Sequence, residues 1–274
     1  MAQFQVDVVD FEYQHDPVLL ARVYQPKGSG PFPCIVDVHG GGWGTGDRLN
    51  NASLNMSLAS TGIVVAAIDF RLSDKYKFPA SVADVNVAIR WLKSRVNEFR
   101  GRSELVGGLG SSSGGQQLLL NALQPNERLY ASLSHAHYPN FDASLRFVVA
   151  CWPVADPWAR YQMALRLGKI SLINSHAAYW NSDEEMRLGN PQLVLERGEQ
   201  THLPPLLIIQ GTADDNLTPD MAEQFAMKYK SIGGSADLSL FYDQPHAFIT
   251  RDPTSEASVR ATALIEKFIK SHSS

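Results

Sequence analysis

Cysteine is scarce in this chain of 274 residues: Cys34 and Cys151 are the two it has. Each falls within an apolar run that reads as a buried strand, where a thiol behaves as a small hydrophobe, so no disulfide framework is expected. An excess of one charge is also lacking. Lys and Arg number 24 against 28 Asp and Glu, and the net charge of -4 is spread without runs, which argues against a nucleic-acid partner. Met1 to Asp7 shows neither a basic head nor an apolar run. Nothing there marks secretion or membrane insertion, and a cytoplasmic protein is expected. No repeat, low-complexity tract or linker interrupts the chain, so residues 1–274 are expected to form one domain. With 44% hydrophobic and 19% charged residues, the composition suits a globular core rather than a disordered or fibrous chain.

What is present centres on Gly107-Gly108-Leu109-Gly110-Ser111-Ser112-Ser113-Gly114-Gly115. Before it, Glu104-Leu105-Val106 reads as a short strand; after it, Gln116 to Leu123 reads as a helix start. A sharp strand-to-helix turn holds its central residue in strained backbone and leaves no room for side chains two positions to either side, which selects glycine. Gly110-Ser111-Ser112-Ser113-Gly114 meets that demand around Ser112. It is a G-x-S-x-G nucleophile elbow, which raises the Ser112 hydroxyl at the top of a sheet. Ser113 is the neighbouring candidate, but the position two residues before it is Ser111, where the turn wants glycine. A dinucleotide fingerprint would need glycine at position 113, and a phosphate-binding loop would need a Gly-Lys-Ser/Thr ending; neither is there.

Hydrophobic patterning frames that turn. Residues 3–13 and 17–25 alternate apolar and polar positions and predict an antiparallel pair, followed by the loop Gln25 to Pro31. Pro33 to His39 and Gly62 to Phe70 are nearly continuous apolar runs, the pattern of strands covered on both faces. Further strands are expected at 145–152, 204–210 and 237–242, with helices at 51–60, 79–99, 221–232 and 256–270. In the second helix Val82, Val85, Ala88, Ile89, Leu92 and Val96 share one side. Alternating strands and helices predict an α/β fold, with a mostly parallel central sheet and helices on both faces. Pro157 to His202 breaks the rhythm, being far longer than an ordinary connection. With Trp158, Tyr161, Met163, Leu165, Leu167, Tyr179 and Trp180 it reads as a helical cap insertion (157–202) that lines a pocket with apolar and aromatic groups.

A serine hydroxyl needs a base to take its proton, and the base needs an acid to hold its tautomer. After an elbow the expected order is acid, then histidine, each in a loop beyond a strand. Leu206 to Gln210 runs into Gly211-Thr212-Ala213-Asp214-Asp215-Asn216, and Leu238 to Tyr242 runs into Asp243-Gln244-Pro245-His246-Ala247-Phe248. Asp214 and His246 are therefore the expected acid and base, with Asp215 as the adjacent alternative. Charge that develops on a carbonyl oxygen needs N–H donors already in place. His39-Gly40-Gly41-Gly42-Trp43 gives a side-chain-free loop after a strand, so the N–H groups of Gly41, Gly42 and Ser113 are expected to form an oxyanion hole, with His39 ordering the loop. Trp43, Trp152 and Phe248 adjoin these motifs and are candidate pocket walls. His135-Ala136-His137 would place two imidazoles on one strand face, but no third ligand follows at a clear spacing and no metal site is expected.

His39 to Trp43, Asp69-Phe70-Arg71-Leu72 followed by Phe78-Pro79-Ala80 and Asp84, the elbow at Ser112, and His246-Ala247-Phe248 together resemble the hormone-sensitive-lipase-like branch of the α/β-hydrolase esterases. The resemblance spans roughly residues 33–270. It implies an α/β-hydrolase fold, a carboxylic-ester hydrolase with a Ser/Asp/His triad, a small-molecule ester as partner, and no cofactor. The chain departs from that branch in starting with strands instead of a long helical cap, and in Ser73-Asp74-Lys75 where Ala-Pro-Glu is usual. Gly211 to Asn216 resembles the acid loop of prolyl-oligopeptidase-like domains, which favours Asp214. A compact member similar to feruloyl esterases or arylformamidases is the nearer match. Hydrolysis of an amide by the same triad is the alternative reading. A non-catalytic ligand-binding protein is a third, and the presence of His246 counts against it.

Overall fold

Three largely apolar runs buried along their whole length, Cys34–Val38 (β3), Val64–Ile68 (β4) and Leu206–Gly211 (β7), are interior strands of one sheet. The computed structural model describes residues 4–133, 138–199, 201–217 and 219–273. Val6–His15 (β1) and Val18–Pro26 (β2) form the expected antiparallel pair. Val106–Ser111 (β5), Val148–Cys151 (β6) and Ala236–Phe241 (β8) complete an eight-stranded sheet of order β1-β2-β4-β3-β5-β6-β7-β8. β2 meets β4 antiparallel, and every pairing from β4 through β8 is parallel.

The helices are Ala52–Ser60 (α1), Ala80–Arg95 (α2), Ser113–Leu123 (α3), Arg128–Ala131 (α4), Pro157–Leu167 (α5), Ile170–Tyr179 (α6), Asp183–Leu188 (α7), Pro191–Glu196 (α8), Pro219–Ser231 (α9), Phe248–Arg251 (α10) and Glu256–Ser271 (α11). α1 and α11 touch on one face of the sheet, and α2, α3, α8 and α9 form a continuous layer on the other. Segment 157–202 contains α5 to α8, and three of the four carry a side-chain cap at the start. The side chains of Asp156, Ser182 and Asn190 accept from backbone N–H groups at the starts of α5, α7 and α8, and proline occupies the first turn of α5 and α8.

Two boundaries differ from expectation around the elbow. Ser103–Leu105 is a single 3-10 turn, and the strand begins at Val106, running through the glycines. Gly107 lies against the Phe147 ring and Gly108 against Leu118 and Leu145, so these glycines serve close packing inside the strand, while β-propensity alone reads them as loop. α3 starts at Ser113, immediately after Ser112, instead of near Gln116. His135 and His137 fall outside the described residues.

The chain leaves β3 for β4 on one side and then returns to β5 on the other. Loops leaving the ends of β3 and β5 therefore diverge, and open α/β sheets place their ligand crevice at that switch point. No helix among the described residues is long and apolar enough to cross a membrane.

Candidate active site

Ser112 sits between β5 and α3 with φ 53° and ψ -119°, a backbone state that side chains rarely adopt. The turn is held from both sides: Ser112 N–H donates to Cys151 O at 3.0 Å, and Ser112 O accepts from Val154 N–H at 3.0 Å. Gly114 lies so near the Val38 and His39 carbonyls that a Cβ there would overlap them. That glycine lets α3 dock against the end of β3, which sets the elbow beside the His39 to Trp43 loop.

His246 Nε2 is 2.9 Å from Ser112 Oγ, and His246 Nδ1 is 2.8 Å from Asp214 Oδ2. A carboxylate only accepts, so Nδ1 carries the proton and Nε2 faces the hydroxyl as an acceptor. Asp214 is further held by Gln210 Nε2 at 3.0 Å and by the N–H groups of Asn216 and Leu217 at 2.8 and 3.0 Å. Burial pushes the Asp214 carboxyl up, but the bond to His246, its charge, and the Gln210 and Asn216 donors outweigh it and hold the group below the usual range. Asp214 thus stays ionised. Asp215 points outward, its side chain 78% exposed beside Lys169. The structure brings Asp214, not Asp215, to His246.

On the opposite side, Gly41 (φ 123°) and Gly42 (φ 59°) take backbone conformations that suit glycine, and they border the same cavity as Ser112. Among the described residues no protein acceptor engages the N–H groups of Gly41, Gly42 or Ser113. The next N–H along the loop, that of Trp43, is taken by Ser113 Oγ at 3.2 Å. His39 is buried, stacks on Phe70 at 4.2 Å, and pairs through Nδ1 with Gly40 O at 2.6 Å. Burial pushes its basicity down, so it braces the loop as a neutral ring.

The cavity over these groups has a volume of about 320 Å³. Trp152 lines it. Trp43 and Phe248, expected as walls, do not: Trp43 is fully buried, stacked on Tyr179 at 4.9 Å with Nε1 bonded to Gln116 Oε1, and Phe248 packs behind Trp152 at 5.4 Å. The aromatic residues of segment 157–202 behave likewise. Tyr179 and Trp180 fill the core around Trp43, where flat rings gain by packing on one another in a closed layer, while Leu165 and Leu167 face solvent. The segment reaches the cavity through Arg160, Leu172 and Ser175 instead.

The BD-FAE family model matches residues 22–229. The chain belongs to the BD-FAE family. It is similar to the probable carboxylic ester hydrolase LipM of Mycobacterium tuberculosis, with 26% identity over 250 residues, covering 88% of this chain and 54% of that protein. It is also similar to the esterase LipC of the same organism, with 26% identity, covering 81% of this chain and 55% of that one. The chain thus spans about half the length of these curated relatives. Among solved structures, esterase B from Lactobacillus rhamnosis superposes with a TM-score of 0.82 at 20% identity, covering all of this chain and 88% of that one. The fold of this BD-FAE chain is the α/β-hydrolase fold.

Several residues around the BD-FAE site have no signal in the sequence. Gln116 joins Trp43 Nε1 to Gly189 O, Gln210 supports Asp214, and Arg160 enters the cavity from α5. Asp37, in the middle of β3, accepts from Asn51 at 3.0 Å and Asn55 at 2.7 Å under the cavity floor. An acid inside an apolar run is the one clue, and it points to no role until its partners are known.

Proposed function

We propose that the protein hydrolyses small carboxylic esters through an acyl-enzyme on Ser112, with residues 1–274 acting as one domain and 157–202 as a cap over the cavity. The observation that carries this reading is the unbroken relay from Ser112 through His246 to Asp214, at 2.9 and 2.8 Å, facing a glycine loop across one cavity. His246 accepts the Ser112 proton as Oγ attacks the ester carbonyl, then returns it to the departing alcohol; a water activated the same way releases the acid. Asp214 holds the imidazole and balances its transient charge. The N–H groups of Gly41, Gly42 and Ser113 face the oxygen on which charge develops. Supporting the ester class, LipM and LipC carry the names carboxylic ester hydrolase and esterase.

Ser112→Ala is expected to lower kcat for p-nitrophenyl acetate by at least about 10⁴-fold and to abolish labelling by a fluorophosphonate probe. Turnover within a few-fold of the unmodified protein refutes the assignment. Faster cleavage of formyl-kynurenine or a peptide p-nitroanilide than of matched esters would shift the reading to an amide hydrolase with the same triad.

A further inference from the structure

Among the described residues, one side chain of permanent charge lines the cavity above Ser112, and ester cleavage does not call for it. Arg160 lines the cavity although only 3% of its surface is exposed. Its neighbours are neutral. Nη1 bonds His176 Nε2 at 3.0 Å, Nε donates to Asn216 O at 3.3 Å, and Nη2 reaches Asn216 Oδ1 at 3.5 Å. Burial and the adjacent guanidinium push His176 down to about 3, so that ring stays uncharged. Among the described residues no carboxylate comes within ion-pair distance of Arg160; Asp214 acts on it only through space, and that charge already serves His246. A guanidinium has five N–H donors, so one on each terminal nitrogen is left over.

A buried cation without a counter-charge is costly, and Arg has a planar fork that fits a carboxylate. Arg160 borders the cavity together with Ser175 and Asn216, polar neighbours without charge. Trp43 lies behind it, its ring centroid 5.8 Å from the guanidinium carbon. The guanidinium thus packs on an aromatic face, and among the described residues no acidic side chain lines the cavity.

We propose that Arg160 receives a free carboxylate of the substrate, so that the ester opened at Ser112 belongs to a molecule carrying a second, ionised acid group. The inference rests on Ser112 being the nucleophile. Arg160 supplies specificity: one end of a short half-ester is clamped on the guanidinium while its ester carbonyl lies at Ser112, and a cavity of about 320 Å³ suits a molecule of that size.

Two matched pairs of esters test it, because either part of the ester could carry the acid. Methyl hydrogen succinate is compared with methyl succinamate, and acetoxyacetate with acetoxyacetamide; each pair differs only by carboxylate against primary amide. The unmodified protein is expected to favour the acid in at least one pair by about tenfold or more in kcat/KM. Arg160→Met is expected to bring that ratio near one, and Arg160→Lys to retain part of it. Arg160 also steadies Asn216, two residues from Asp214, so the ratio within each variant is the readout, independent of any general loss of rate. Calorimetric binding of the same compounds to Ser112→Ala is expected to show the same preference without turnover.

Ratios near one in both pairs for the unmodified protein, in turnover and in binding, overturn the proposal. So does Arg160→Met slowing acid and amide equally, which would make Arg160 a brace for the acid loop. If no ester is cleaved, the nucleophile assignment falls, and the calorimetric preference alone decides the carboxylate site.

Discussion

Asp214 and Asp215 are adjacent and chemically identical, and their surroundings separate them. Asp214 accepts four hydrogen bonds, from His246, Gln210 and two backbone N–H groups, whereas Asp215 is 78% exposed. Replacing Asp214 by Asn keeps the shape but lets the amide donate to Nδ1, which turns the imidazole to the wrong tautomer. Asp214→Asn is therefore expected to cut kcat for p-nitrophenyl acetate by about 10⁴-fold with KM little changed. Asp215→Asn, which disturbs only an exposed pair with Lys169, is expected to stay within about twofold. Equal effects of the two substitutions would contradict this division of roles. The pair also marks the limit of what residues reveal before folding. Ser112, Asp214 and His246 were legible because each stands in a short local pattern: an elbow, or a loop after an apolar run. Arg160 and Gln210 were not, since an arginine or glutamine in these positions acquires meaning only from what surrounds it in space.

Between elements, the decisive feature is how tightly two loops lean on each other. The acid loop after β7 and the base loop after β8 are laced by Thr212 N–H to Phe241 O at 2.9 Å, Ala213 N–H to Gln244 O at 3.0 Å, and Asp243 N–H to Thr212 Oγ1 at 2.9 Å. Gly211 makes this possible, because a Cβ there would overlap the Gln244 carbonyl. Gly211→Ala is expected to part the loops, costing about 1–3 kcal/mol in urea unfolding and lowering kcat about 100-fold by displacing His246 from Asp214. Gly168 is the control: it caps α5 at φ 63° with open space around it, so Gly168→Ala is expected to cost about 1 kcal/mol of backbone strain with kcat unchanged. If Gly211→Ala behaves like Gly168→Ala, the loops do not depend on that contact. Strand and helix periodicity announced these elements well. It gave no hint that Tyr179 and Trp180 pack on Trp43 instead of lining the cavity, because periodicity reports that a face is buried and leaves open what it is buried against.

Across the whole molecule, the cavity floor is tied to the sheet through one buried acid. Asp37 bonds Asn51, just before α1, and Asn55 within it; Asn51 also reaches Ser111 Oγ at 3.4 Å and accepts from Thr250 Oγ1 at 3.3 Å. β3, α1, β5 and α10 are thereby joined beneath Ser112. Burial raises the Asp37 carboxyl to about 6, against the pull of the two asparagine donors. An unfolded aspartate titrates near about 3.9, so between these values the folded protein holds a proton that the unfolded chain has lost. The resulting stability is present at the acid end and is lost as pH rises through about 6. Between about pH 5 and about pH 7.5 this group is expected to withdraw about 1 kcal/mol from the unfolding free energy. Asp37→Asn removes the titration, and Asn55 Oδ1, which has no partner among the described residues, offers the introduced amide an acceptor once the Asn55 side chain turns. Relative to the unmodified protein, Asp37→Asn should gain about 1 kcal/mol in urea unfolding when the pH is raised across that window. A difference that stays constant with pH would mean that Asp37 is already ionised throughout the range and that its asparagine partners alone offset its burial, and one that moves the other way would contradict a raised carboxyl outright.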